Sequence, residues 1–318
     1  MKRIMHLHLY CGEPLSWEPP KSLEQIEHDR RRVQEMLAKI EMAHLFQPGK
    51  DSYHLKLEIC SKKFHILMEE LQKDPHLASS WNRVECVYTD QELSSAPLLE
   101  WGPTNQAIED DYYTLHFYKE ELPKGISFYT RDCEVCRAPL EQIRDMWVDT
   151  RRMGKRDLSL TYGFEVIFSA RLAQRLQEAG FTGFTLRPVW DYRKPYQGEP
   201  KLYQLVVTNI LPPMASPPTE FEQAQHCEVC GTKTQYLKHT HFWGRIQYYE
   251  ETDIYYAREV LEQAADFNAT YERIGGLPDG HPLVLISQRV YRWLKEQRIK
   301  GWSARPVYLV ESGTLTSE

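Results

Sequence analysis

The sequence predicts an α+β fold of mixed sheets and helices, and three observations carry that expectation. Short runs rich in β-branched and aromatic residues lie between Gly, Pro and Asn/Asp turn signals. Amphipathic helical stretches follow serines placed to cap them. A strand–helix–strand pattern recurs along the chain.

The recurrence is clearest where Gly183-Phe184-Thr185-Leu186-Arg187-Pro188-Val189 matches Gly301-Trp302-Ser303-Ala304-Arg305-Pro306-Val307, at a constant offset of 118 residues. In the same register Val166–Leu172 lies over Val284–Val290, and Leu176 over Leu294. A fainter copy places Ile59, Ser61, Lys63, Phe64 and Met68 in the columns of Ile167, Ser169, Arg171, Leu172 and Leu176. In each copy an apolar run ends at a serine (Ser61, Ser169 or Ser287) whose hydroxyl can accept from a free N–H of the next helical turn. The nucleophile-elbow spacing Gly-x-Ser-x-Gly is absent at all three, so they read as caps rather than nucleophiles. Apolar residues at spacings of three and four (Val290, Trp293, Leu294; Phe64, Leu67, Met68, Leu71) then give each helix one buried stripe. Gly180 or the Lys300-Gly301 turn ends the helix, and the Arg-Pro-Val stretch resumes as strand. Arg187 and Arg305 are placed to pair with carboxylates.

The other elements follow in order. His6-Leu7-His8 reads as strand. Ser22 with Gln25 forms a capping box that starts a helix expected over Leu23–Phe46, ended by Pro48-Gly49. Its Arg30-Arg31-Arg32 cluster, set among acidic residues, reads as a solvated face rather than a phosphate patch. Strands are expected at Tyr112–Tyr118, Ile126–Thr130 and Ile246–Tyr249, a strand running into a proline-rich loop over Leu202–Thr219, and a helix over Asp253–Thr270. The motifs divide the chain into an N-terminal α+β region with the degenerate copy (1–110) and two Cys-x-x-Cys-containing repeat domains (111–215 and 216–318).

Composition narrows the function classes. With 318 residues and 42% hydrophobic content the chain can bury a substantial core, and 16 Gly and 19 Pro exclude collagen-like or low-complexity chains. With 39 Lys+Arg against 45 Asp+Glu, the net charge of −6 gives no global attraction for polyphosphate, so the composition disfavours a nucleic-acid partner, which would need a local basic face. The first ten residues lack the pattern of a secretion signal, and prolines interrupt the longest uncharged run, so the expected location is the cytoplasm, with no membrane contact.

Four of the seven cysteines form two pairs, Cys133-Glu134-Val135-Cys136 and Cys227-Glu228-Val229-Cys230. Two thiolates two residues apart reach one metal from a single tight turn, so Cys133, Cys136, Cys227 and Cys230 are the expected ligands of one structural zinc. A closed four-sulfur set holds no water, and its role is expected in folding rather than catalysis. Alternatives are a set of Cys227, Cys230, His239 and His241, separate or absent metal with unpaired buried thiols, or redox dithiols or disulfides, the redox chemistry being disfavoured by Glu134 and Glu228. Cys11, Cys60 and Cys86 read as small buried apolar residues. His6 and His8, two apart on a strand, point the same way, as in metal-dependent hydrolases, but no His-Glu-x-x-His, Walker or dinucleotide-binding motif accompanies them.

With both cysteine pairs and both Gly-aromatic-[Ser/Thr]-x-Arg-Pro-Val segments located, residues 112 to 311 resemble the double-CXXCG motif family of myxobacteria. The second motif matches fully through Gly231, whereas the first carries Arg137 in place of glycine. The repeat cores also resemble, more weakly, immunity proteins of bacterial polymorphic toxin systems. That second resemblance implies a non-catalytic binder that neutralises a cognate toxin protein, with Trp190, Tyr192 and Tyr196 as candidate interface aromatics. Competing expectations are a zinc-containing nucleic-acid binder and an unrecognised metal-dependent enzyme.

Overall fold

In the computed structural model, the described residues are 1–12, 21–79, 82–104, 106–108, 133–136, 138, 142, 144–161, 164–194, 196–277 and 280–311. The expected strands at Tyr112–Tyr118 and Ile126–Thr130, and Arg137, lie outside them. Helices and mixed sheets give the α+β architecture that the sequence predicts. Two compact units form, Met1–Thr89 with Lys238–Thr252, and Asp90–Leu237 with Asp253–Glu318. This division cuts across the three sequence-based stretches, because Leu98–Pro103 pairs with C-terminal strands while the hairpin Thr240–Tyr249 extends the N-terminal sheet. No helix among the described residues is long and apolar enough to cross a membrane.

In the first unit Lys2–Tyr10 lies between Ser52–Glu58 and Arg83–Val87, antiparallel to both. Period-two alternation sends Met5, Leu7, Leu9, Tyr53, Leu55, Leu57 and Val84 into one core with the helices Leu23–Lys39 and Lys62–Leu71. The register sets His6 beside Lys56 and Arg83, and His8 beside His54, on the opposite face. Ser22 and Gln25 form the capping box, but the helix ends earlier than expected. Glu41 takes φ 60, the Met42 N–H bonds to Leu37 O (2.7 Å), and Met42 packs on the core, a left-handed C-terminal stop with no glycine to announce it. Arg30 pairs with Asp51 and Arg32 with Asp74 and Glu35, so these two arginines are engaged within the chain.

The second unit contains two sheets in which the matched segments are built alike. A hairpin (Leu158–Thr161 with Val166–Ser169; Phe267–Ile274 with His281–Ser287) leads through the capping serine into a helix (Ala170–Glu178; Gln288–Glu296) and then a strand (Phe184–Asp191; Trp302–Val310). An antiparallel strand fits between the strands flanking each helix, Leu202–Val207 in one sheet and Leu98–Pro103 in the other. Beyond each helix-following strand lies a parallel edge strand, Met146–Val148 or Ile254–Ala257. Both helices share one core that includes Leu172, Leu176, Phe168, Trp101, Phe267, Val290 and Leu294.

The caps behave as read: Ser169 Oγ accepts from Leu172 N (3.2 Å) and Ser287 Oγ from Val290 N (3.3 Å). Each hydroxyl also donates to a carboxylate, Asp157 (3.0 Å) or Asp266 (2.9 Å), and the same carboxylates bind Arg171 and Arg289. Arg305 pairs with its cross-strand neighbour Glu100, as expected, whereas Arg187 donates to the Gln142 carbonyl.

The helix expected over Asp253–Thr270 is not formed. Ile254–Ala257 is a strand, Arg258–Glu262 a short 3-10 turn, and Phe267–Ile274 another strand. Alternation at Ile254, Tyr255 and Tyr256 buries Ile254 and Tyr256, and pairing with Val307–Val310 overrides the weak helical spacing.

Gly183 is required by geometry. At φ +84, a Cβ there would lie 2.1 Å from Phe267 O, while at Gly180 (φ +64) it would meet nothing within 4 Å. Gly183→Ala is expected to cost about 3 kcal/mol or more and Gly180→Ala about 1 kcal/mol, read as shifts in urea midpoint. Equal costs would show that the close approach is not maintained in solution.

Candidate metal centre

The two cysteine pairs, distant in sequence, meet in the second unit. The Sγ atoms of Cys133, Cys136, Cys227 and Cys230 all lie within 4.8 Å of one another. Cys133 and Cys227 sulfurs are 3.8 Å apart, and those of Cys136 and Cys230 3.6 Å. A tetrahedron with sulfur about 2.3 Å from its centre has edges of about 3.8 Å, so this spacing suits a zinc-sized ion and is far too long for disulfides.

Each pair sits on a tight turn closed in the same way. Cys133 N donates to Ala138 O (3.1 Å) and Cys227 N to Thr232 O (3.0 Å). Gly231 takes φ +72 and its N–H bonds to Cys227 O (2.8 Å), which explains the glycine of the second motif. Cys133 and Cys227 are buried, whereas Glu134, Val135, Glu228 and Val229 face solvent, so the charged residues of the motifs point away from the sulfurs.

The thiols are electrostatically unequal. The Thr232 hydroxyl, 3.1 Å from Cys230 Sγ, helps to draw that thiol down to about 6. Backbone N–H groups of Cys230 and Val229 lower Cys227. Cys136 also receives the Ala138 N–H, but burial and the three neighbouring thiols outweigh it and push Cys136 up to about 12. Four anionic sulfurs therefore conflict with one another until a cation sits among them. A divalent ion resolves that conflict and matches the soft donor set.

The mixed cysteine–histidine set is not needed, since Cys133 and Cys136 complete the four ligands. His239 instead stacks on Tyr249, and His241 Nε2 lies 3.2 Å from Glu250 O. Of the remaining cysteines, Cys11 is buried, Cys86 half-buried and Cys60 exposed, so Cys60 departs from the buried reading. His6 and His8 do share a face, together with His54. The rings of His8 and His54 stack 4.4 Å apart at only 16°, however, so two nearly parallel ring planes cannot both contain one metal ion.

The candidate interface aromatics lie together at one edge of the six-stranded sheet. Tyr192 and Tyr196 are 42% and 52% exposed, and Trp190 is half-buried with its indole N–H donating to Asp145 (2.9 Å). Tyr196 contacts both Trp190 and Trp147 at ring separations of 5.4 and 5.9 Å. Trp147 escaped the sequence reading because its place beside Trp190 depends on a parallel pairing that only the fold supplies. Neither a scan against protein-family models nor a search of the curated proteins finds a match for this chain.

Proposed function

We propose that the chain is a non-catalytic, zinc-stabilised protein-binding module of the immunity type, which binds and neutralises a toxin. The observation that carries this reading is the closed sulfur set. Four cysteine ligands fill a tetrahedral ion and leave no position for water or substrate, so the ion would hold chain segments rather than react. The resemblance of residues 112 to 311 to double-CXXCG proteins, and of the repeat cores to immunity proteins, supports the same direction.

The aromatic edge supplies anchors of the right kind. Tyr192 and Tyr196 are exposed beside Trp147 and Trp190, and charges of both signs surround them, including the ion-paired Asp149, Asp191 and Arg193. Tyr, Trp and Arg carry most of the energy at protein interfaces. The test is co-expression with the product of the adjacent gene. A stoichiometric complex on gel filtration, weakened at least tenfold by Tyr196→Ala with zinc content unchanged, is the expected result. Absence of any complex would remove the immunity reading.

A further inference from the structure

The outer face of the first sheet gathers basic side chains that the metal centre and the aromatic edge do not use. In one cross-strand row His6 lies between Lys56 and Arg83, and in the next His8 faces His54. Residues opposite one another on a sheet have Cβ atoms about 5 Å apart, so Lys56 and Arg83 can both reach over His6. Both are exposed, and neither has a partner among the described residues. His6 itself is 2% exposed; its Nε2 meets Glu85 at 2.6 Å, and its Nδ1 is buried with no hydrogen-bond partner. The one carboxylate on His6 is thus engaged, and the buried ring still has an unused nitrogen.

We propose that this face binds a small oxyanion, a phosphate or a phosphomonoester, clamped by Lys56 and Arg83 across His6, with His8 and His54 completing the site. Three arguments converge. Two unneutralised cations lie one on each side of His6, an arrangement suited to a compact multidentate acceptor; with its Nε2–H turned to Glu85, His6 offers at Nδ1 an acceptor for a P–OH and not a donor to a phosphate oxygen. His54 is held below the usual imidazole range by burial and then by His8, His6, Lys56 and Arg83, and an anion would relieve that positive field. A metal ion is disfavoured by the same field and by the parallel His8 and His54 rings.

The second ionisation of a phosphomonoester lies near 6, in the imidazole range, so binding and protonation are coupled. The other titratable groups on this face are Glu85 and, further off, Glu58, Lys2, Tyr10 and Tyr249. Because His54 starts low, oxyanion binding raises it and takes up protons. Affinity therefore strengthens as the pH falls from about 8 to about 6.5, and levels off as the dianion is lost.

The test titrates inorganic phosphate into the full chain at constant ionic strength, balanced with chloride, and follows the His8 and His54 ring signals by NMR. Saturable shifts and a raised His54 titration are expected. Lys56→Gln with Arg83→Gln is expected to weaken binding about a hundredfold, about tenfold for each charge-assisted hydrogen bond lost. Both side chains are exposed, so an unchanged circular dichroism spectrum and unfolding midpoint should accompany that loss. Shifts reproduced by chloride alone, no saturation, or a double variant that binds like the parent would each overturn the site. An oligothymidylate that binds far more tightly than phosphate, with a steep salt dependence, would reassign it to nucleic acid.

Discussion

Cys227→Ser is expected to abolish stoichiometric zinc and to lower the stability of the second unit by about 4 kcal/mol. The magnitude follows from treating the ion as a cross-link: it closes a loop of roughly ninety residues between Cys136 and Cys227, and loops of that size restrict the unfolded chain by about 4–5 kcal/mol. Structural zinc in isolated finger peptides contributes more, about 10–16 kcal/mol, because those peptides have no other core. Here the sheets bury cores of their own, so the cross-link term is the better guide. Metal analysis of protein purified under reducing conditions, paired with thermal unfolding, reads both quantities. Amides of Met5–Leu9 in the first unit should keep their exchange protection, and Cys60→Ser, at an exposed thiol, should change neither zinc content nor midpoint. Full zinc occupancy in Cys227→Ser would show that the four sulfurs do not act as one site.

The second large effect is expected at Asp266. Its carboxylate accepts from Ser287 Oγ (2.9 Å), Arg289 (2.8 Å), and Thr182 N (3.0 Å) and Oγ1 (3.2 Å), and the residue is 9% exposed. Asp266→Ala leaves the Ser287 and Thr182 donors without this acceptor and Arg289 with only the Ala179 and Gly180 carbonyls, at a cost of about 2–4 kcal/mol. Asp157 stands at the matching place before Ser169, but both it and its arginine are somewhat more exposed, and its carboxylate accepts only from Ser169 Oγ and Arg171 among the described residues, with no counterpart of the Thr182 donors, so Asp157→Ala should cost only about 1 kcal/mol. Guanidinium unfolding of the two variants gives the comparison; an equal loss would contradict the role assigned to burial and to the Thr182 contacts.

These carboxylates also show where the sequence was readable and where it was not. Local signals were reliable: Ser22, Ser61, Ser169 and Ser287 all cap helices, because the N-cap bond spans only three residues. The strand–serine–helix–strand register was legible at the offset of 118. Asp157 and Asp266 were not, because they lie 109 apart; the loop of the later hairpin is longer and breaks the register just before the matched segment. Asp157-Leu158-Ser159-Leu160-Thr161 over Asp266-Phe267-Asn268-Ala269-Thr270 was the signal available. Glu41 and the Ile254–Ala257 strand were hidden for a different reason, since a left-handed non-glycine stop and a parallel edge pairing are decided by tertiary context. At the site, the Cys-x-x-Cys spacing named all four sulfurs, and only the fold could bring the two pairs within bonding distance of one ion.

The strand Leu98–Pro103 has a consequence for biogenesis. Its two neighbours, His281–Ser287 and Trp302–Val310, leave the ribosome some two hundred residues later, whereas Leu202–Val207 follows its own partners at once. For that interval an apolar ribbon containing Leu98, Leu99 and Trp101 has neither edge satisfied. A nascent chain in that state is open to holdase chaperones, and two chains finishing together could each lend the ribbon to the other, giving an exchanged dimer at high expression.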